Sequence, residues 1–157
     1  VVCYAYCFFA DFCFARFFCV VVSGAISYAD FIDVYGYDAD FTYAYGSYAD
    51  FSNANFSNAF LNDANLRNTY LSYADLSYAD LSYADLSYTN LNDANLNGAN
   101  LNGANLYGAN LSNTDLDYAD LSYAYSYYAD FSYADLSGAE LSYTRLYNAN
   151  LSSTELR

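Results

Sequence analysis

The sequence predicts an all-β fold, a solenoid of short extended segments that turn a corner every five residues and stack one coil on the next. Three observations carry that prediction. From Leu71 to Leu111 one five-residue phrase recurs without a slip, as in Ser72-Tyr73-Ala74-Asp75-Leu76 and Asn102-Gly103-Ala104-Asn105-Leu106, and a fixed period decides which side chains meet. Period five fits no helix, because residues five apart are rotated by about 140° and the leucines would wind round the surface without making a stripe. It fits no long flat strand either, since an odd period sends successive leucines to opposite faces.

A chain that turns at every repeat resolves the conflict. With Leu or Phe as the central position, the Ala two residues earlier points the same way and the Asp or Asn between them points the opposite way. The two residues after the Leu make the corner, which suits Ser, Asn, Asp and Gly because they hydrogen-bond locally or tolerate unusual backbone angles. Each repeat turns two side chains inward, one large and one small, and three outward. Such a unit cannot bury its apolar side alone, so successive coils must stack.

The pattern Ala-(Asp/Asn)-Leu-x-x, here Ala74-Asp75-Leu76-Ser77-Tyr78, resembles the pentapeptide-repeat proteins, and the resemblance covers nearly the whole chain. It implies a right-handed quadrilateral β-helix with four repeats per coil, built as a single rod-like domain. About function it implies little.

Central positions fall at every fifth residue from 31 to 156 and hold 18 Leu and five Phe, with Gly36, Gly46 and Ser126 as exceptions. Leu71, Leu76, Leu81, Leu86, Leu91 and Leu96 are the expected core ladder. The small position, from 29 to 154, holds 20 Ala, 5 Thr and Val34. A narrow interior is the simplest cause, since close packing tolerates little error in volume. Four repeats per coil would make between six and seven coils, and at roughly 4.8 Å per stacked strand a rod about 30 Å long.

The formal charge is −14, with four Arg and no Lys. That balance argues against direct nucleic-acid binding, which needs cations for the phosphates. An acidic rod suits a basic partner, or simply solubility.

Residues 1–22 read as an apolar, aromatic-rich N-terminal coil or cap, and residues 23–157 as the repeat solenoid. The first stretch is apolar except for Asp11 and Arg16, so a membrane span has to be weighed. Each charge near its middle would cost about 2.5 to 3.5 kcal/mol on an insertion scale. The stretch also scans in fives, as Ala5-Tyr6-Cys7, Ala10-Asp11-Phe12 and Ala15-Arg16-Phe17. A first coil is therefore preferred, and membrane contact is not favoured; a secretory signal would need a basic start. In that frame Phe8, Phe9, Phe14 and Phe18 lie at outward or corner positions, and an apolar outer surface of that size marks a cap or a docking face.

Between Val22 and Ile26 the phase slips by one residue, at Ser23-Gly24, where glycine can supply irregular backbone. From Ile26 the phase is constant. Gly36 and Gly46 leave holes at central positions; Tyr35 and Tyr45 are candidate fillers, with a bulge as the alternative. Ser126, after Tyr125, repeats the feature eighty residues after Gly46 on the same side. The end at Leu156-Arg157 reads as an open coil, which a cap or a partner is expected to cover.

Candidate chemistry is sparse. Cys3, Cys7, Cys13 and Cys19 lack a Cys-x-x-Cys pair, so small thiols are expected, with no metal and no cofactor. Without His or Lys there is no base for neutral pH, and no catalytic residue is assigned. The outward position before the central residue holds ten Asp, eight Asn and two Glu. Four-sided coils would stack Asp75, Asp115, Asp135 and Glu155 on one side and Asp40, Asp80, Asp120 and Glu140 on the next. By resemblance this raises DNA mimicry, as in the gyrase-binding branch of the family, although Asn interrupts every column and close like charges repel. Twelve tyrosines hold the second corner position, with complete belts at Tyr73, Tyr78, Tyr83 and Tyr88 and at Tyr118, Tyr123, Tyr128 and Tyr133. Tyr combines contact area with a polar tip and favours interfaces; the small Gly98, Gly103 and Gly108 between the belts give the rings room to lie along the rod. The expected function is a non-catalytic scaffold that docks other proteins within a larger complex, through Phe8, Phe9, Phe14, Phe18 and the Tyr belts. The alternative is a DNA-mimic regulator of a basic DNA-handling enzyme such as a gyrase.

Overall fold

The structure, a computed structural model, describes residues 2–3, 21–22, 26, 27, 29 and 31–157. Two short strands, β1 (Val2–Cys3) and β2 (Val21–Val22), pair in parallel, Val2 with Val21 and Cys3 with Val22. From Tyr35 on, isolated parallel bridges join each outward residue before a central position to its counterpart twenty residues later, from Tyr35–Asn55 to Asp135–Glu155. Twenty residues are four repeats, so every coil has four corners, and residues twenty apart form columns. The β1–β2 step is nineteen, since Val2 meets Val21.

Each corner is closed by a hydrogen bond from the small residue's amide to the carbonyl of the preceding central residue, as from Ala79 to Leu76 at 3.0 Å. The second corner residue has a φ near +60°, for example 57° at Tyr78, which is the type II arrangement. In the repeat from Leu76 to Asp80 all five amides have acceptors. Leu76 donates to the Asn95 carbonyl at 2.7 Å, Tyr78 to Asn97 at 2.9 Å, and Asp80 to Ala59 of the coil before at 2.9 Å. The fifth amide, that of Ser77, donates to Oδ1 of Asp75 at 3.1 Å. Asp and Asn are frequent before the central residue for that reason: theirs is the side chain that reaches the one amide the ladder leaves over.

The inward residues form one continuous core, and the six leucines from Leu71 to Leu96 in the ladder are all 1% exposed or less. Threonines at the small position keep their hydroxyls satisfied within the backbone, as Thr69 does by donating to the Leu66 carbonyl at 2.7 Å. The glycine holes are filled differently from expectation. Tyr35 and Tyr45 stay at the surface. A Cβ on Gly36 would come within 2.6 Å of the Phe56 ring, and one on Gly46 within 3.1 Å of Leu66 Cδ2. Large residues of the next coil take the space because they stack directly over it. Among the described residues no helix is long and apolar enough to cross a membrane.

Candidate functional site

Registering the coils places each tyrosine belt around the whole circumference. Tyr73, Tyr78, Tyr83 and Tyr88 occupy four different corners, as do Tyr118, Tyr123, Tyr128 and Tyr133, and all eight are more than half exposed. A single flat partner therefore cannot touch a complete belt. Phe8, Phe9, Phe14 and Phe18 lie outside the described residues, as do Cys7, Cys13 and Cys19; Cys3 is in β1. Among the described residues no group of His, Cys, Asp or Glu is placed to hold a metal ion.

The corners carry an unexpected backbone burden. Eleven of the 21 non-glycine residues with positive φ are tyrosines, although the left-handed region costs L-residues about 1–2 kcal/mol each and suits Gly, Asn and Asp. Part of the return comes from the next coil. A Cβ on Gly98 would lie 2.6 Å from the Tyr78 ring, on Gly103 2.7 Å from Tyr83, on Gly138 2.7 Å from Tyr118 and on Gly108 3.0 Å from Tyr88. These rings lie over glycines that supply both the space and the φ.

Three of the four sides carry all the described outward acids except Asp85. One column runs Asp75, Asn95, Asp115, Asp135, Glu155; the next has Asp80, Asn100, Asp120, Glu140; another has Asp50, Asn90, Asn110, Asp130 and Asn150. Asparagines link the carboxylates: Asn95 Nδ2 donates to Asp75 Oδ1 at 3.2 Å, Asn100 to Asp80 at 3.1 Å and Asn150 to Asp130 at 2.9 Å. An interposed amide separates like charges, and each of these asparagines supplies a donor to the carboxylate of the coil before. At Asp135 the side chain and amide of Ser137 hold the carboxyl below its usual pKa, opposed by partial desolvation and assisted by Arg157.

The remaining side differs. Its column runs Tyr45, Asn65, Asp85, Asn105, Tyr125, Arg145. Beyond Asp85, neither this column nor the two corners that flank it contain a carboxylate. The Arg145 guanidinium lies over the Tyr125 ring, 4.5 Å from its centroid. Along one flanking corner Tyr88, Tyr107, Tyr128 and Tyr147 form a ladder with centroids 5.5, 5.5 and 6.3 Å apart. Desolvation, and then the neighbouring phenols Tyr88 and Tyr128, raise the Tyr107 pKa. Arg67 caps this ladder, 6.0 Å from the Tyr88 ring and 3.8 Å from Asp85. Along the other corner Tyr123 and Tyr143 stack at 5.0 Å, and Gly103 opens a groove of about 650 Å³ between Tyr83 and Tyr123, bounded by Tyr125, Tyr143 and Arg145.

From Asp75 onward only positions 125 and 145 depart from Asp, Asn or Glu before the central residue, and both fall on this side. A phenol or a guanidinium cannot stand in for the Asp75-type acceptor, so the rule is broken here at a cost to the corner. Behind them Ser126 replaces the ladder leucine, fully buried with no partner for its hydroxyl. Local rules broken together are found at functional or strained sites. Tyr107, Tyr125, Tyr143, Tyr147 and Arg145 were not singled out by the sequence reading, although writing the sequence in rows of twenty puts Tyr125 and Arg145 in one acid-poor column.

A stack of twenty-residue coils with a Leu and Ala interior and variable outward residues defines a β-helical repeat protein. The family described as Pentapeptide repeats matches residues 49–87, 79–117, 94–125 and 128–157, and the chain belongs to that family, whose known structures are right-handed β-helices. It is similar to HetL, a pentapeptide repeat protein involved in heterocyst differentiation regulation from the cyanobacterium Nostoc sp., at 24% identity over 92% of this chain and 88% of that one, TM-score 0.53. It is also similar to Rfr23, a pentapeptide repeat protein from the cyanobacterium Cyanothece, at 24% identity over 93% and 84%, TM-score 0.50. Another pentapeptide repeat protein from Nostoc is 34% identical over 69% of this chain and 84% of its own, TM-score 0.52. A comparison with curated proteins finds no match.

Proposed function

We propose that the chain is a non-catalytic, protein-binding scaffold, a four-sided rigid rod of one domain that docks within a larger assembly. One observation carries this reading: of four sides built on one core, a single side has no carboxylate beyond Asp85, and there tyrosines and Arg145 displace the residues that the corners need. Tyr and Arg are the side chains that dominate protein interfaces. A like-charged rod of −14 also keeps indiscriminate partners away from its other sides. The complete belts narrow to the tyrosines that face this side, Tyr83, Tyr88, Tyr123 and Tyr128. The apolar residues 1–22, with Phe8, Phe9, Phe14 and Phe18, would form a second contact at the N-terminal end as a coil or cap on the 23–157 solenoid. Direct nucleic-acid binding and membrane insertion are not part of this reading.

The test is site-specific photo-crosslinking in extracts of the source organism, with p-benzoylphenylalanine replacing Tyr125 or, on the opposite side, Asp115. Discrete protein adducts from position 125 and none from 115 are expected. Equal labelling from both positions, or none from either, would reject the docking side.

DNA mimicry is favoured by one run, Asp115, Asp135 and Glu155, where three acids follow without an intervening Asn. It predicts inhibition of a gyrase that weakens with added salt. No inhibition at low salt removes it.

A further inference from the structure

The groove at Gly103 has a chemistry narrower than general stickiness. It is lined by Asn102 and Gly103, with the Tyr83 ring packed against Gly103, and by the phenols of Tyr123, Tyr125 and Tyr143. Arg145 closes one end, stacked on Tyr125 by one face. Among the described residues the ion pairs are Arg67 with Asp85 and Arg157 with Glu155, so the guanidinium donors of Arg145 carry no carboxylate. Arginine offers five N–H donors and no acceptor, and each phenol adds an O–H that can donate or accept. A ligand matched to such a groove presents acceptors to Arg145 and apolar rings to the phenol faces.

A proline-rich segment meets that description. Proline has no amide N–H, and the polyproline II helix leaves every carbonyl unbonded within the chain, ready for the groove's donors. Aromatic-lined grooves accept such segments at a small entropic cost because the ligand is already extended. The periods agree as well. Stacked strands repeat at about 4.8 Å, so two coils span about 9.6 Å, close to the roughly 9.3 Å of one three-residue turn of polyproline II. A segment lying along the corner would meet equivalent positions of the rod at every third residue. The free fork of Arg145 then calls for a carboxylate on that segment, since Arg pairs carboxylates in bidentate fashion.

We propose that the groove bounded by Tyr83, Tyr123, Tyr125, Tyr143 and Arg145 binds a proline-rich polypeptide segment that carries an Asp or Glu side chain for Arg145. This rests on the protein-binding reading above and adds the partner's chemistry. The experiment is isothermal titration of the full chain with four probes: a capped heptapeptide of proline with a central Asp, the same peptide with Lys for Asp, the same with Ala for every Pro, and cellohexaose. The Pro/Asp peptide is expected to bind. Arg145→Gln should weaken it about tenfold, the loss of one charge-assisted hydrogen-bonded contact, and Tyr123→Ser should weaken it while circular dichroism and thermal unfolding stay unchanged. Tighter binding of the Lys peptide, equal binding of the Ala peptide, or binding of cellohexaose alone would overturn the assignment, as would an Arg145→Gln chain of unaltered affinity. No binding of any probe also rejects it. If Tyr125 crosslinks nevertheless persist, the protein-binding reading survives without this ligand; if neither is seen, both fall.

Discussion

The side through Asp75, Asn95, Asp115 and Asp135 and the opposite side through Asp85, Asn105, Tyr125 and Arg145 share one interior and one backbone. On the first, each outward residue from Asp75 to Asp135 accepts the spare corner amide, as Asp115 Oδ1 does from Asp117 at 3.0 Å, and Asn95 also spaces the charges, donating to Asp75. On the second, Tyr125 and Arg145 do neither. They stack on each other instead. Apart from Ser126, which replaces a core leucine behind Tyr125, the difference is confined to outward side chains, and a solenoid can differentiate one face while its stack continues.

The largest effect tests that continuity. Leu96 lies under the acidic side and Leu106 under the aromatic one, and both are fully buried. Truncating either to Ala should cost about 2–5 kcal/mol, the transfer term plus an unfilled cavity, measured by chemical denaturation. Closely similar losses would show that both sides rest on an equally firm core. A much smaller loss at Leu106 would mean that the aromatic side covers a soft region, and that its tyrosines compensate for poor packing instead of serving a partner. Truncating Leu156, which is 60% exposed, should change stability by less than about 0.5 kcal/mol.

An intermediate effect concerns the strained corners. Gly98→Ala introduces a Cβ 2.6 Å from the Tyr78 ring at a φ of +64°. About 1–3 kcal/mol should be lost, since the left-handed backbone is unfavourable to Ala and the ring must also move. In a Tyr78→Ala background the ring is gone, and about 1 kcal/mol of backbone cost should remain. The double-mutant cycle isolates the ring contact. An unchanged cost in that background would show that the tyrosines are not held by the glycines below them, leaving their unfavourable φ without a structural return.

Most of the interior was legible in the sequence because it is periodic. One spacing fixes the inward set, so Leu71 to Leu96 could be named as a ladder from the letters alone. The corner position was equally legible, though not the tyrosines' φ: Asp, Asn and Gly are the expected occupants, and local propensity gave no reason to put eleven tyrosines there. What filled Gly36 was misjudged because Phe56 is twenty residues away and becomes a neighbour only once coils are registered. The acid-poor side was hidden for the same reason. Belts read along the chain pick out four different corners, whereas a face consists of residues at intervals of twenty. The outward Asp and Asn were read for their charge; the amide they satisfy belongs to a residue two positions later and shows itself only when every donor is counted.

The smallest effect is the sharpest probe of the contrast between the two sides. Asp115→Ala removes the acceptor of the Asp117 amide and should cost about 1 kcal/mol, while Asp115→Asn keeps an acceptor oxygen and should be nearly neutral. Tyr125→Asn runs the other way. It installs the repeat's own residue, so the Tyr127 amide gains an acceptor worth about 0.5–1.5 kcal/mol, against about 0.5–1 kcal/mol for the lost stacking of Arg145 at an exposed site. Stability should hold or rise slightly while peptide binding at this side is lost. Improvement in one property with loss of the other is what a residue kept for function shows. If Tyr125→Asn instead unfolds the chain by several kcal/mol, the tyrosine is a structural member of the coil, and the two sides differ in sequence without differing in role.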